Sequence, residues 1–153
     1  REDVLALRYR SLAYADAGDY DLAIADLATA TVASPAPSTL QREMGSMYRR
    51  RGISNFASNR IDAAISDLNK ALELEPLHLQ TYVDRGLAYQ TKGDNRRAIL
   101  DFTRAIELDT NFAIAYGYRG SSYLYLGDID RAALDFQKAA TISGRKAPAP
   151  NLK

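Results

Sequence analysis

The chain has 153 residues, a formal net charge of +1, no cysteine and one histidine. Those values exclude disulfide staples and thiolate metal sites and leave no field strong enough to favour a polyanionic partner. No apolar run approaches the roughly 18 residues that a membrane-spanning helix needs, so the chain reads as soluble, with cytoplasm and periplasm both open. Arginine outnumbers lysine 15 to 5, a bias that points to a bacterial source. The first residue is Arg1 rather than Met, which leads us to expect a native N-terminus further upstream.

A period of 34 residues returns four times, at 4–37, 45–78, 79–112 and 113–146. Such a period is the signature of stacked helical repeats. In the first copy, Gly18-Asp19 breaks the helical pattern in two, and Pro35 is placed to stop the second half. Residues 38–44 are an insertion of about two helical turns. Ser38 could cap a lengthened helix from about 39 to 58, and a structureless loop is the competing reading. The second copy breaks at Asn59-Arg60, asparagine being next best to glycine in left-handed backbone, and stops at Pro76. In the third, Tyr82, Gly86 and Tyr89 lie at i, i+4 and i+7 on a helix near 79–92. Gly93-Asp94 follows, then Ala98, Phe102 and Ala105 mark the packing face of a helix near 95–108. Thr110 stands where the earlier copies have proline. The fourth copy breaks at Gly127-Asp128 and ends near Gly144.

Laid on one another, the copies share their packing slots. Position 8 holds Ser11, Gly52, Gly86 and Gly120, and position 20 holds Ala23, Ala64, Ala98 and Ala132. Position 24 holds Leu27, Leu68, Phe102 and Phe136, and position 27 holds Ala30, Ala71, Ala105 and Ala139. Small residues at 8 and 20 let two antiparallel helices approach closely, and the larger ones at 4, 11 and 24 fill the space beside them. Position 7 is Arg in every copy (Arg10, Arg51, Arg85, Arg119) and position 23 is Asp in every copy (Asp26, Asp67, Asp101, Asp135). We expect a ladder of Arg–Asp pairs that fixes packing register. Independently solvated charges are the alternative.

This pattern closely resembles the tetratricopeptide repeat family, whose motif asks for an aromatic at 4, Gly at 8, Tyr at 11, Gly at 15, Ala at 20, Phe at 24 and Ala at 27. The third copy supplies Tyr82, Gly86, Tyr89, Gly93, Ala98, Phe102 and Ala105. Leu7, Ser11, Asn55 and the insertion depart from it. The resemblance covers about 4–146 and implies one all-α, right-handed solenoid domain of antiparallel helix pairs over 1–146. Residues 147–153 would form a tail whose prolines keep it from being helical, leaving the last helix without an evident cap.

No chemistry is legible. His78 stands alone in a turn, the glycines are explained by packing and caps, and no phosphate-cradling loop is present. Most carboxylates fall at helix starts, helix ends or position 23, and nothing points to a glycosidase-like acid pair. We therefore expect no enzyme, no metal and no cofactor. Seven of ten tyrosines (Tyr14, Tyr20, Tyr48, Tyr82, Tyr89, Tyr116, Tyr123) fall on core positions, leaving Tyr9, Tyr118 and Tyr125. With Arg49-Arg50-Arg51 as the only basic run, nucleic acid is not an expected partner.

The resemblance implies instead a concave groove lined by first helices, through positions 2, 5, 9 and 12 with 6 and 13 at the flanks. Those slots carry Leu5, Arg8, Leu12 and Ala15, then Ser46, Arg49, Ile53 and Phe56 with Arg50. They continue with Gln80, Val83, Leu87 and Gln90 with Asp84, and Ile114, Gly117, Ser121 and Leu124 with Tyr118 and Tyr125. An apolar strip rimmed by polar groups marks a binding site. Arg8, Arg49 and Arg50 predict a cationic end, so the expected partner is a peptide or helix with an acidic portion and an apolar anchor. Co-chaperone members of the family hold chaperone C-terminal tails with a Lys/Asn/Asn/Lys/Arg set. The corresponding slots here read Arg8, Leu12, Arg50, Gln80 and Asp84, or Arg49, Ile53, Asp84, Ile114 and Tyr118, so that partner is not expected. Homo-oligomerisation through ends or groove is the rival reading, and an enzyme subunit or small-molecule-binding protein the more distant one.

Overall fold

The computed structural model describes residues 3–34 and 37–144. They form eight α-helices and no strand: α1 (Val4–Ala17), α2 (Tyr20–Ala33), α3 (Pro37–Ala57), α4 (Ile61–Leu74), α5 (Leu79–Thr91), α6 (Asn95–Leu108), α7 (Ala113–Tyr125) and α8 (Ile129–Ile142). Each 34-residue copy is one helical hairpin. Pro35 and residues 147–153, where a non-helical tail is expected, lie outside the described residues.

The hairpin turns follow from their residues. Gly93 adopts φ +85°, which an L side chain resists, and Asn59 takes the same role at φ +57°. Asp94 and Asp128 then cap the next helices, their carboxylates accepting from the backbone N–H of Arg97 and Arg131. Asp19 makes no such side-chain bond. α4 ends at Leu74, just before Pro76.

Close approach within a hairpin is set at position 8. A Cβ on Gly86 would meet Cε1 of Phe102 at 2.6 Å, and one on Gly52 would meet Cγ of Leu68 at 3.0 Å and the carbonyl oxygen of Ala64 at 3.3 Å. Ala23, Ala64, Ala98 and Ala132, facing that slot, have no exposed surface. Position 8 therefore abuts both the position-20 backbone and the position-24 side chain.

The chain groups into two compact units, Arg1–Thr81 and Tyr82–Lys153. In the first, Leu7, Ala15, Ala23, Ile24, Leu27, Ala30, Leu40 and Met47 form one core, with Val4, Tyr14, Tyr20, Met44 and Tyr48 against it. Leu40, Met44 and Met47 lie at i, i+4 and i+7 on α3. The residues inserted at 38–44 are therefore helix, and they add an apolar stripe to the repeat-1 core. In the second unit, Phe102 is fully buried beneath Tyr118 of α7, ring centroids 5.6 Å apart. Phe136, at the same slot of the last hairpin, is 38% exposed, since no described helix follows it.

Candidate partner-binding surface

The repeated Arg and Asp meet in every hairpin, sixteen residues apart, as bidentate pairs. Arg10 Nε donates to Asp26 Oδ2 at 2.7 Å and Nη2 to Oδ1 at 2.7 Å. The same two bonds are 2.9 and 2.6 Å from Arg51 to Asp67, 2.9 and 2.6 Å from Arg85 to Asp101, and 2.7 and 2.7 Å from Arg119 to Asp135. All four carboxylates are buried. The guanidiniums of Arg51, Arg85 and Arg119 also lie over Tyr48, Tyr82 and Tyr116, three residues earlier, at 5.3–5.7 Å. Two of these cations reach the preceding hairpin as well, Arg51 to Asp21 and Arg119 to Thr103 Oγ1 at 3.1 Å. The ladder is thus a register device shared between neighbours, and it offers no free charge to a ligand.

Its electrostatics depend on depth. Arg10 holds the Asp26 carboxyl below the usual range, mainly by hydrogen bonding. For Asp101, burial pushes the carboxyl up, against the pull of Arg85. The Asp135 hydrogen bonds raise Arg119 further above its ordinary value.

The first-helix faces are apolar in patches. In the first unit, Leu12 and Ile53 are each 40% exposed, Leu5 is exposed more fully, and Phe56 is half-buried. In the second, Ile114, Leu124 and Tyr125 are exposed, Leu87 and Asp84 are half-buried, and a Cβ on Gly117 would meet nothing within 4 Å. Several predicted positions serve packing instead. Val83 is buried at 1% exposure, and Tyr118 is the ring that covers Phe102. Gln90 Nε2 donates to Ser122 Oγ at 3.1 Å, and Ser121 donates to the Gly117 carbonyl at 3.1 Å. Gln80 is half-buried near the start of α5.

The predicted cationic end is instead of mixed charge. Arg8 Nε donates to both oxygens of Glu43 at 2.9 Å. Arg50 donates to the Ala15 carbonyl at 3.1 Å, sits 3.6 Å from Asp16, and lies 5.4 Å over the Tyr20 ring. Arg42, Glu43, Ser46, Arg49, Glu75 and His78 line one shallow cleft of about 260 Å³, both signs of charge together. The reason is the added length of α3, which brings Glu43 against Arg8; spacing alone does not place that carboxylate.

Sequence reasoning also missed a second stack. Arg97 lies 4.5 Å over Tyr89 and Arg131 lies 4.6 Å over Tyr123, each arginine also bonded to the capping Asp94 or Asp128. The signal was present as Tyr at position 11, Asp at 16 and Arg at 19 in the last two copies.

Among the described residues, no group of three His, Asp or Glu side chains is arranged to hold a metal ion. Nor is any helix among them long and apolar enough to cross a membrane.

The tetratricopeptide repeat profile matches residues 10–78 and 83–149. None of the curated proteins matches the chain. Among solved structures, MamA is similar at 27% identity and a TM-score of 0.71, over 93% of this chain and 79% of that one. The first TPR domain of Spaghetti (RPAP3), solved with the HSP90 peptide SRMEEVD, is 20% identical, over 69% of this chain and 83% of that one, TM-score 0.66. The Arabidopsis OM64 TPR domain is 22% identical, over 69% and 88%, TM-score 0.66. The last two speak to the fold alone.

Proposed function

Since the chain belongs to the tetratricopeptide repeat family, we propose that it is a non-catalytic scaffold whose first helices hold a peptide or helix of another protein. The observation that carries this reading is the pair Leu12 and Ile53, at the same repeat position on α1 and α3, each 40% exposed. Large apolar side chains left in water at register positions are costly unless something covers them. Each has only its exposed fraction left to bury, worth about 1 kcal/mol against a partner. Ile114, Leu124 and Tyr125 on α7 extend the same logic to the second unit. The apolar anchor is the dominant part of the expected ligand. An acidic portion would have to compete with Glu43 for Arg8. The chaperone-clamp slots carry no matching set, so a chaperone tail is not the proposed partner.

The test is capture of a partner by wild type, followed by affinity measurement with Ile53→Glu and Arg49→Glu. We expect Ile53→Glu to weaken binding by about tenfold or more, with an unchanged circular dichroism spectrum. Full affinity in Ile53→Glu refutes the apolar-anchor reading, and full affinity in Arg49→Glu removes the acidic portion from it.

One observation favours self-association as a second reading. Ile129, Leu134 and Phe136 leave α8 with apolar side chains 69%, 65% and 38% exposed.

A further inference from the structure

The four hairpins are internal copies, so each shows what its neighbours could have carried at the same place. In hairpins three and four, Tyr at position 11 lies beneath Arg at position 19, and that arginine is tied to Asp at position 16. The second hairpin has none of the three: the corresponding residues are Asn55, Ala63 and Arg60. Where the ring and guanidinium would sit, the first unit has a cleft of about 560 Å³ bordered by both Asn55 and Ala63. That volume falls within the range of about 300–1,000 Å³ usual for ligand sites.

The cleft lies off the face already described. Ser54 and Asn55, on its wall, occupy repeat positions 10 and 11 on α3, whereas the expected groove residues Ile53 and Phe56 occupy positions 9 and 12. Its lining is mixed: Asp19, Asp21, Arg51 and Asp67 bring charge, Arg51 being already bonded to Asp21 and Asp67, and apolar side chains stand beside them. Leu22, 49% exposed, and Tyr20 supply apolar contact from the start of α2. Arg60 is exposed, forms no ion pair among the described residues, and is long enough to lie over a ring face. Ser54 and Ser66 offer hydroxyls to a phenol. By contrast Asn55 is not seeking a partner: its Nδ2 donates to Asp67 Oδ2 at 2.8 Å, so the floor of the cleft is already satisfied and preformed.

We propose that this cleft is a second binding site, which takes a tyrosine side chain of a peptide partner in place of the Tyr–Arg stack that hairpins three and four carry themselves. It is independent of the first-helix groove, and its ligand is identified by shape and chemistry: a flat ring with one polar edge.

The experiment is a titration of isotope-labelled full chain, followed by backbone amide NMR, with acetyl-Gly-Gly-Tyr-Gly-Gly-amide and with the same peptide carrying alanine for tyrosine. We expect saturable shifts confined to the neighbourhood of Ser54, Asn55, Ala63 and Ser66, with Kd near about 1 mM and no response to the alanine peptide. The double variant Asn55→Tyr/Ala63→Arg rebuilds the internal stack and should abolish the response while melting no lower than wild type. Because replacing Asn55 also removes its bond to Asp67, Ser66→Arg serves as a second block at the exposed rim, with an expected weakening of about tenfold or more. Absence of saturable shifts in wild type, equal response to the alanine peptide, or a response surviving in a folded blocked variant each overturns the proposal.

Discussion

At the scale of single residues, two glycines in the same kind of helix carry opposite predictions. A Cβ on Gly86 would press into the Phe102 ring, which is fully buried under Tyr118 and cannot swing aside. Overpacking of that kind costs about 1–3 kcal/mol, more than the roughly 1 kcal/mol that alanine gains in helix propensity. Gly117 has open space at its Cβ, so only the propensity gain applies there. Urea denaturation should show Gly86→Ala destabilised and Gly117→Ala stabilised, and the opposite order would refute the packing argument. The Arg–Asp pairs divide likewise by burial. Arg10 keeps 56% of its side-chain exposure, and loss of Asp26 should cost about 1 kcal/mol or less. Arg85 keeps 20%, and Asp101→Ala would strand it, at about 3 kcal/mol. The two carboxylates also differ in pH response. The folded state lowers the Asp26 pKa, so its contribution is present above about pH 4, where the unfolded carboxylate ionises, and is lost as acid titrates the folded group. Asp26→Asn should flatten that acid-side loss in a pH series of unfolding midpoints. Asp101, pushed upward by burial, titrates with the opposite sign and is not its source.

The helix that repays study at the scale of elements is α3. Residues 38–44 carry no repeat signature; the sequence favours a lengthened helix there, with a loop as its rival. Helix wins because Leu40, Met44 and Met47 share one face and find the repeat-1 core, where Leu40 is only 4% exposed. Leu40→Ala should therefore cost about 2–4 kcal/mol by thermal or chemical unfolding, whereas a loop residue would cost well under 1 kcal/mol. The same added length delivers Glu43 to Arg8 and turns a predicted cationic end into one of mixed sign. In the third copy the expected helices, near 79–92 and 95–108, lie within a residue of α5 and α6. Gly93, Asn59 and the capping Asp94 and Asp128 dictate local backbone without tertiary help.

For the whole molecule, the open question of association has a direct measurement. The last described helix, α8, leaves Ile129, Leu134 and Phe136 exposed, while the Phe102 slot one hairpin earlier is closed by a following helix. If the scaffold reading is right, light scattering at micromolar concentration should return the mass of one 16.9 kDa chain. A concentration-dependent dimer abolished by Leu134→Glu would move the function to self-assembly. Family and helix-pair architecture were legible in the sequence, because the 34-residue period with its small residues at 8, 20 and 27 resembles the tetratricopeptide repeat motif. The candidate surface was readable only in outline. Position numbers name Val83 and Tyr118 as groove-facing, yet one is buried and the other roofs Phe102.

Short-range rules sufficed for whatever repeats: turn glycines, helix lengths, the Arg–Asp register and the interlocking of position 8 with position 24 all involve residues at fixed separations within one hairpin. Tertiary structure alone decided which side chains remain in water and which charges are already spent. Those outcomes depend on neighbours far apart in the chain, such as Arg8 with Glu43 or Arg51 with Asp21, whose spacing follows no period.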